Sequence, residues 1–137
     1  MPRPAGRNFC FMRKMLIVMG LVMLLAGVGR AADIELDTDL MQTIEDTNLS
    51  LASNIALKDG KSSKAEAAEL HRMFTQVEAH FVAKGDAADA VDLSKKSKDW
   101  AGEIVQSVDS KQFDHAAELA GNISRACKTC HNFYKKS

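Results

Sequence analysis

Apolar residues recur in steps of three and four along most of the chain, the period of a helix with one buried face. The stripe Ile34, Met41, Ile44, Leu51 and Ile55 predicts a first helix over about residues 34–57, stopped at Lys58-Asp59-Gly60. Ser63-Lys64-Ala65-Glu66 has the form of a capping box and opens a second helix, on which Ala67, Leu70, Phe74, Val77 and Phe81 repeat until Gly85 ends it. Asp86 is expected to cap a third helix carrying Val91, Leu93, Trp100, Ile104 and Val108, with a polar middle over residues 94–98. After Asp109-Ser110-Lys111-Gln112, a fourth runs through Ala116, Leu119, Ile123 and Ala126. Links this short join antiparallel neighbours, so the pattern predicts an all-α, up-down four-helix bundle.

The pattern changes at the N-terminus. Arg13 and Lys14 precede an unbroken apolar run from Met15 to Val28, short for a membrane span and suited to the core of a signal peptide. Gly29-Arg30-Ala31 places small residues where a signal peptidase reads, so residues 1–31 are expected to be cleaved and residues 32–137 to form the mature domain. An uncleaved, tethering segment is the competing reading. Met12 offers a second start, since Met12-Arg13-Lys14 already forms a basic leader end, and Cys10 falls outside the mature protein on either choice. The expected location is the periplasm, reached unfolded and without a stable membrane anchor.

Removal of the leader alters the charge balance. The full chain has 18 basic and 18 acidic residues, but Arg3, Arg7, Arg13, Lys14 and Arg30 belong to the leader, which leaves 13 basic residues against 18 acidic ones. An acidic domain does not suit nucleic acid or an anionic membrane surface. Both prolines, Pro2 and Pro4, also leave, and only Cys127 and Cys130 remain of the cysteines.

Those two cysteines carry the chemistry. Cys127-Lys128-Thr129-Cys130-His131 is a C-x-x-C-H pentapeptide, the form that attaches a c-type haem. Thiols at this spacing can each add to one vinyl group of the porphyrin, and the following His131 is then the proximal iron ligand. A zinc site would need about four ligands, and no second Cys pair or spaced His pair completes one. A thioredoxin-like C-x-x-C opens a helix in a βαβ setting, whereas this one closes a helical chain. The expectation is one haem c per chain near the C-terminus of helix four.

Antiparallel geometry brings the end of helix four beside the start of helix one. Met41 and His131 are then each about 9–14 Å in from the same end, so a thioether and an imidazole face one another across the porphyrin. An ordinary core methionine is the competing reading of Met41. His80 has a useful height but stands beside the stripe, while His71 and His115 fall toward the far end. Phe81 and Val77 are expected in the pocket wall, and Trp100 in the core. Lys84, Arg125, Lys128 and Lys135 are candidate propionate partners, with Arg125 preferred.

The mature chain resembles the class II c-type cytochromes, the cytochrome c-prime family, in which C-x-x-C-H lies near the end of a four-helix bundle. The closing stretch Cys127-Lys128-Thr129-Cys130-His131-Asn132-Phe133-Tyr134-Lys135 carries that likeness. The opening Ala32-Asp33-Ile34-Glu35-Leu36 and Met41 also resemble the periplasmic four-helix b-type cytochrome, which holds iron between an N-terminal Met and a C-terminal His. The chain departs from the c-prime pattern at Gly85-Asp86, a short link without proline. The resemblance implies a low-spin, six-coordinate, non-enzymatic electron carrier with redox-protein partners in the periplasm. It also implies a homodimer through helices one and two, although no stripe is apolar enough to require one. If Met41 is only a neighbour of the iron, the alternative is a five-coordinate protein binding nitric oxide or carbon monoxide. Peroxidase chemistry ranks below both, because no Arg and His pair is placed to cleave a bound peroxide.

Overall fold

Four apolar stripes close on one another. In a computed structural model that describes residue 36 and residues 38–134, the chain forms α1 (Thr38–Ala56), α2 (Gly60–Lys84), α3 (Ala88–Asp109) and α4 (Phe113–Tyr134). Each helix packs on the next, and α1 closes the ring against α4. This is the expected all-α four-helix bundle. The chain divides into two units, Met1–Ala32 and Asp33–Ser137; the first, with the expected leader, lies outside the described residues, and the second holds the bundle. Among the described residues no helix is long and apolar enough to cross a membrane.

Predicted stripe residues fill the core: Leu51 and Ile55 of α1, Leu70 of α2, Ile104 and Val108 of α3, and Ile123 of α4 are at most 1% exposed, and Met73 of α2, outside its predicted stripe, joins them. Burial of each such side chain contributes about 1.5–3 kcal/mol. Ala67, Ala101, Ala116 and Ala120 are buried between them and let the helices approach closely.

Three local expectations need correction. The capping box at residues 63–66 does not start α2, which begins at Gly60 with Asp59 as its cap. The Asp59 carboxylate accepts from the amides of Lys61 and Ser62 and from the Ser62 hydroxyl, which holds it below the usual carboxylate range. A carboxylate at this position also meets the positive end of the helix dipole, an advantage that the Ser63 hydroxyl lacks. Ser63 instead lies fully buried with its hydroxyl unpaired, and Glu66 accepts from Ser50 Oγ and Asn54 Nδ2 on α1 at 2.5 and 2.8 Å. Asp86 does not cap α3 either: the N-cap is Ala87, which makes no side-chain bond, and Asp89 supplies the negative charge in the first turn. Helix one is expected from about residue 34, yet Leu36 stands outside helical structure and α1 opens at Thr38.

Gly85 does end α2. It adopts φ 79°, a left-handed conformation that glycine takes without steric cost, and its N–H donates to Phe81 O. The polar middle of α3 is also resolved. Ser94 and Ser97 face inward, while Lys95–Asp99 and Lys96–Asp92 pair along the outer face and Lys98 reaches Glu78 on α2.

Candidate functional site

The two ends of the bundle are packed differently. The end formed by the links at residues 57–59 and 110–112 is filled by the core. The other end, where α1 begins, α2 stops, α3 begins and α4 finishes, contains a cavity of about 790 Å³. That lies within the usual size of a cofactor pocket, roughly 300–1,000 Å³. All four helices line it: Met41, Ile44, Glu45 and Asn48 from α1; Phe74, Val77 and Phe81 from α2; Ala90, Leu93, Ser94 and Ser97 from α3; Ser124, Ala126, Cys127, Cys130 and His131 from α4.

Cys127, Cys130, His131 and Met41 are therefore brought to one cavity from the two ends of the described chain. Cys127 and Cys130 are free and partly buried. Met41 is half-buried and packs against the core cluster, whereas His131 is exposed at the rim. Val77 and Phe81 stand in the wall, as expected. Lys128 also lines the cavity, but Arg125 does not: it is exposed and donates to Asn122 Oδ1 on its own helix, so the preferred propionate partner is outside the wall. His80 makes an edge contact with Phe81, His71 is exposed, and His115 is exposed and pairs with Glu103 at 3.1 Å. Trp100 packs on the core.

The sequence places Met41 and His131 at matching heights on α1 and α4, but it does not reveal the bond that ties these two helices. Asn48 Nδ2 donates to Ser124 Oγ at 2.8 Å and to Ala120 O at 3.5 Å, a direct tie between the helices. Seven residues toward the cavity mouth on each antiparallel helix lie Met41 and His131, about 10.5 Å away and within about 20° of the same faces. Glu45 and Cys127 fall between, and the Glu45 carboxylate influences the Cys127 thiol as this register requires. The available sequence signal is a polar residue at an apolar position of the α1 stripe.

Burial pushes the Cys127 thiol from an ordinary 9.0 up to about 11, with Cys130 and Glu45 adding to the effect; burial raises Cys130 as well. Since the thiolate is the reactive species, burial slows the reactions of these free thiols near neutrality. Iodoacetamide should alkylate Cys127 at pH 8 roughly a hundredfold more slowly in the folded protein with free thiols than in urea, and equal rates would contradict the buried placement. The thiol is an acid whose folded value is raised, so its effect on stability is absent below pH 9. Between about 9 and 11 the unfolded chain loses its proton first and stability falls, by at most about 2–3 kcal/mol. Thioether formation removes this dependence.

The donor set fits a covalently held haem: two thiols on one wall, an imidazole one residue on, a thioether across the cavity at matching height, an apolar lining from α2, and Ala90 and Leu93 beside two serines from α3. Among the described residues no group of three or more His, Cys, Asp or Glu side chains is placed to hold a metal ion. No family model, curated protein or solved structure matches the chain.

Proposed function

We propose that this chain is an exported c-type cytochrome that carries single electrons in the periplasm through one haem c, tethered by Cys127 and Cys130 and bound at its iron by His131 and Met41. The observation that carries the reading is the convergence of the pentapeptide and Met41 on one apolar cavity between four helices. A bound haem supplies one-electron chemistry at a potential set by its axial ligands and surroundings.

The chain's own residues account for the rest. His131 and Met41 stand on different helices held by a common core, so both donors keep their places with little rearrangement when the charge of the site changes. Phe74, Val77, Phe81 and Leu93 give the cavity apolar wall surface against which a porphyrin would pack. A thioether favours the reduced over the oxidised state relative to a second imidazole. With both iron positions filled from the chain, no open position is left for a substrate, and the role is that of a carrier. Its acidic mature domain suits a basic patch on a redox partner, with binding that weakens as salt rises.

The test is covalency. Expressed with its leader in a host with periplasmic haem-attachment machinery, the purified protein should begin at Ala32 and retain its haem in acid acetone. Haem extracted into the solvent would overturn the c-type reading. The Cys127→Ala, Cys130→Ala double variant should release all of its haem under the same treatment.

A further inference from the structure

Asn48 stands where the spacing from Ile44 to Leu51 calls for an apolar residue. It is 5% exposed, it donates to Ser124 and to the Ala120 carbonyl, and its Oδ1 is buried with no donor among the described residues. A buried amide of this kind loses its hydration and regains only part of it, so an aliphatic residue would stabilise the interface at least as well. What the amide supplies is alignment. Sliding α1 along α4 by one turn separates Asn48 from Ser124 and leaves both in apolar surroundings, the means by which a single buried Asn sets register in coiled coils.

We propose, resting on the reading of Met41 and His131 as a facing pair, that Asn48 is a positioning residue whose bond to Ser124 holds α1 and α4 in the register that sets Met41 opposite His131. The tie and the pair share the same two helix faces, separated by seven residues on each helix. A one-turn slip of α1 would bring Ile44 or Glu45 to the height of Met41, and neither offers a thioether. The position of the tie matters too: it lies at the deep end of the cavity, where Asn48 and Ser124 both reach the wall. The core beyond it is aliphatic and closely packed, a surface that by itself specifies register weakly.

The experiment compares haem-loaded wild type with Asn48→Leu, Ser124→Ala and the exchanged pair Asn48→Ser with Ser124→Asn. Asn48→Leu should keep its helix content and melt no lower than wild type. Its ratio of Met-bound to Met-free iron should nonetheless fall roughly tenfold, the scale of coupling within one hydrogen-bond network. Ser124→Ala should shift the ratio in the same direction, and the exchanged pair should restore it. Register is read separately from spin labels at the exposed positions 53 and 118, in reduced, carbon monoxide-treated protein whose iron is diamagnetic. A single narrow distance in wild type that broadens in Asn48→Leu supports the proposal. Unchanged ligation together with an unchanged label distance in Asn48→Leu and Ser124→Ala overturns it. If wild type lacks methionine ligation, the ligand reading fails, and the label distances still decide the register. If Asn48→Leu does not fold, Ser124→Ala and the exchanged pair carry the same two readouts.

Discussion

Met41→Ala is expected to convert a low-spin, six-coordinate haem protein into a high-spin one with an open iron position. The ferric form should lose the weak far-red band that marks methionine ligation, and the ferrous form should take up carbon monoxide that wild type excludes. The reduction potential should fall by roughly 0.1 V or more, within the span of about 0.8 V that axial ligation covers. Geometry motivates this: Met41 lines the same cavity as His131 and sits at its height across α1 and α4. If wild type is already high-spin and binds carbon monoxide as readily as the variant, Met41 is only a wall residue. The five-coordinate, gas-binding reading then replaces electron transfer.

Leu70→Ala should lower the stability of the haem-loaded protein by about 3 kcal/mol, out of a total of about 5–15 kcal/mol, without changing its absorption spectrum. Leu70 is fully buried and does not line the cavity, so its truncation leaves a void in the aliphatic half of the core. Phe74→Ala, one turn nearer the mouth and on the cavity wall, should cost a similar amount and also disturb the spectrum. Urea titration with parallel optical spectra separates the two. Equal spectral change in both variants would show that the two halves of the core are not independent. Because a tethered haem stays attached in the unfolded state, its stabilising effect comes from burial of the porphyrin and closure of the ligands, which truncation of Phe74 weakens.

Much of the bundle was legible because its physical causes are local. Ile44, Leu51, Leu70, Ile104 and Ile123 recur at helical spacing and are buried where that spacing places them. Gly85 ends α2 because the required left-handed conformation is nearly glycine's alone. Local rules failed where two local solutions competed. Asp59 displaced Ser63 as a cap because a carboxylate four residues earlier accepts three hydrogen bonds at once. Lys58 and Lys111 adopt φ 57° and 61° in the two far-end links, positions that no glycine or asparagine marks. Ser94 and Ser97 broke the apolar pattern of α3 because they face a cavity, where a packed aliphatic side chain is not required.

The sequence by itself determined the four helices, their antiparallel order and the proximity of the start of helix one to the C-x-x-C-H pentapeptide, since short links leave few other arrangements. It also singled out Cys127, Cys130 and His131 as candidates, because thiol and imidazole spacing within five residues is itself the signal, and Met41 by its height on helix one. Only the tertiary structure decided which of their neighbours share the cavity. It took in Lys128 and left out Arg125, because three residues along a helix fall about 60° short of a full turn, enough to carry a side chain from the cavity wall to the outer face. It likewise fixed the displacement of α1 along α4, where Asn48 and Ser124, 76 residues apart, are hydrogen-bonded. Periodicity states which face of a helix is buried. It does not state how far one helix is displaced along another, and that displacement sets whether two facing side chains meet.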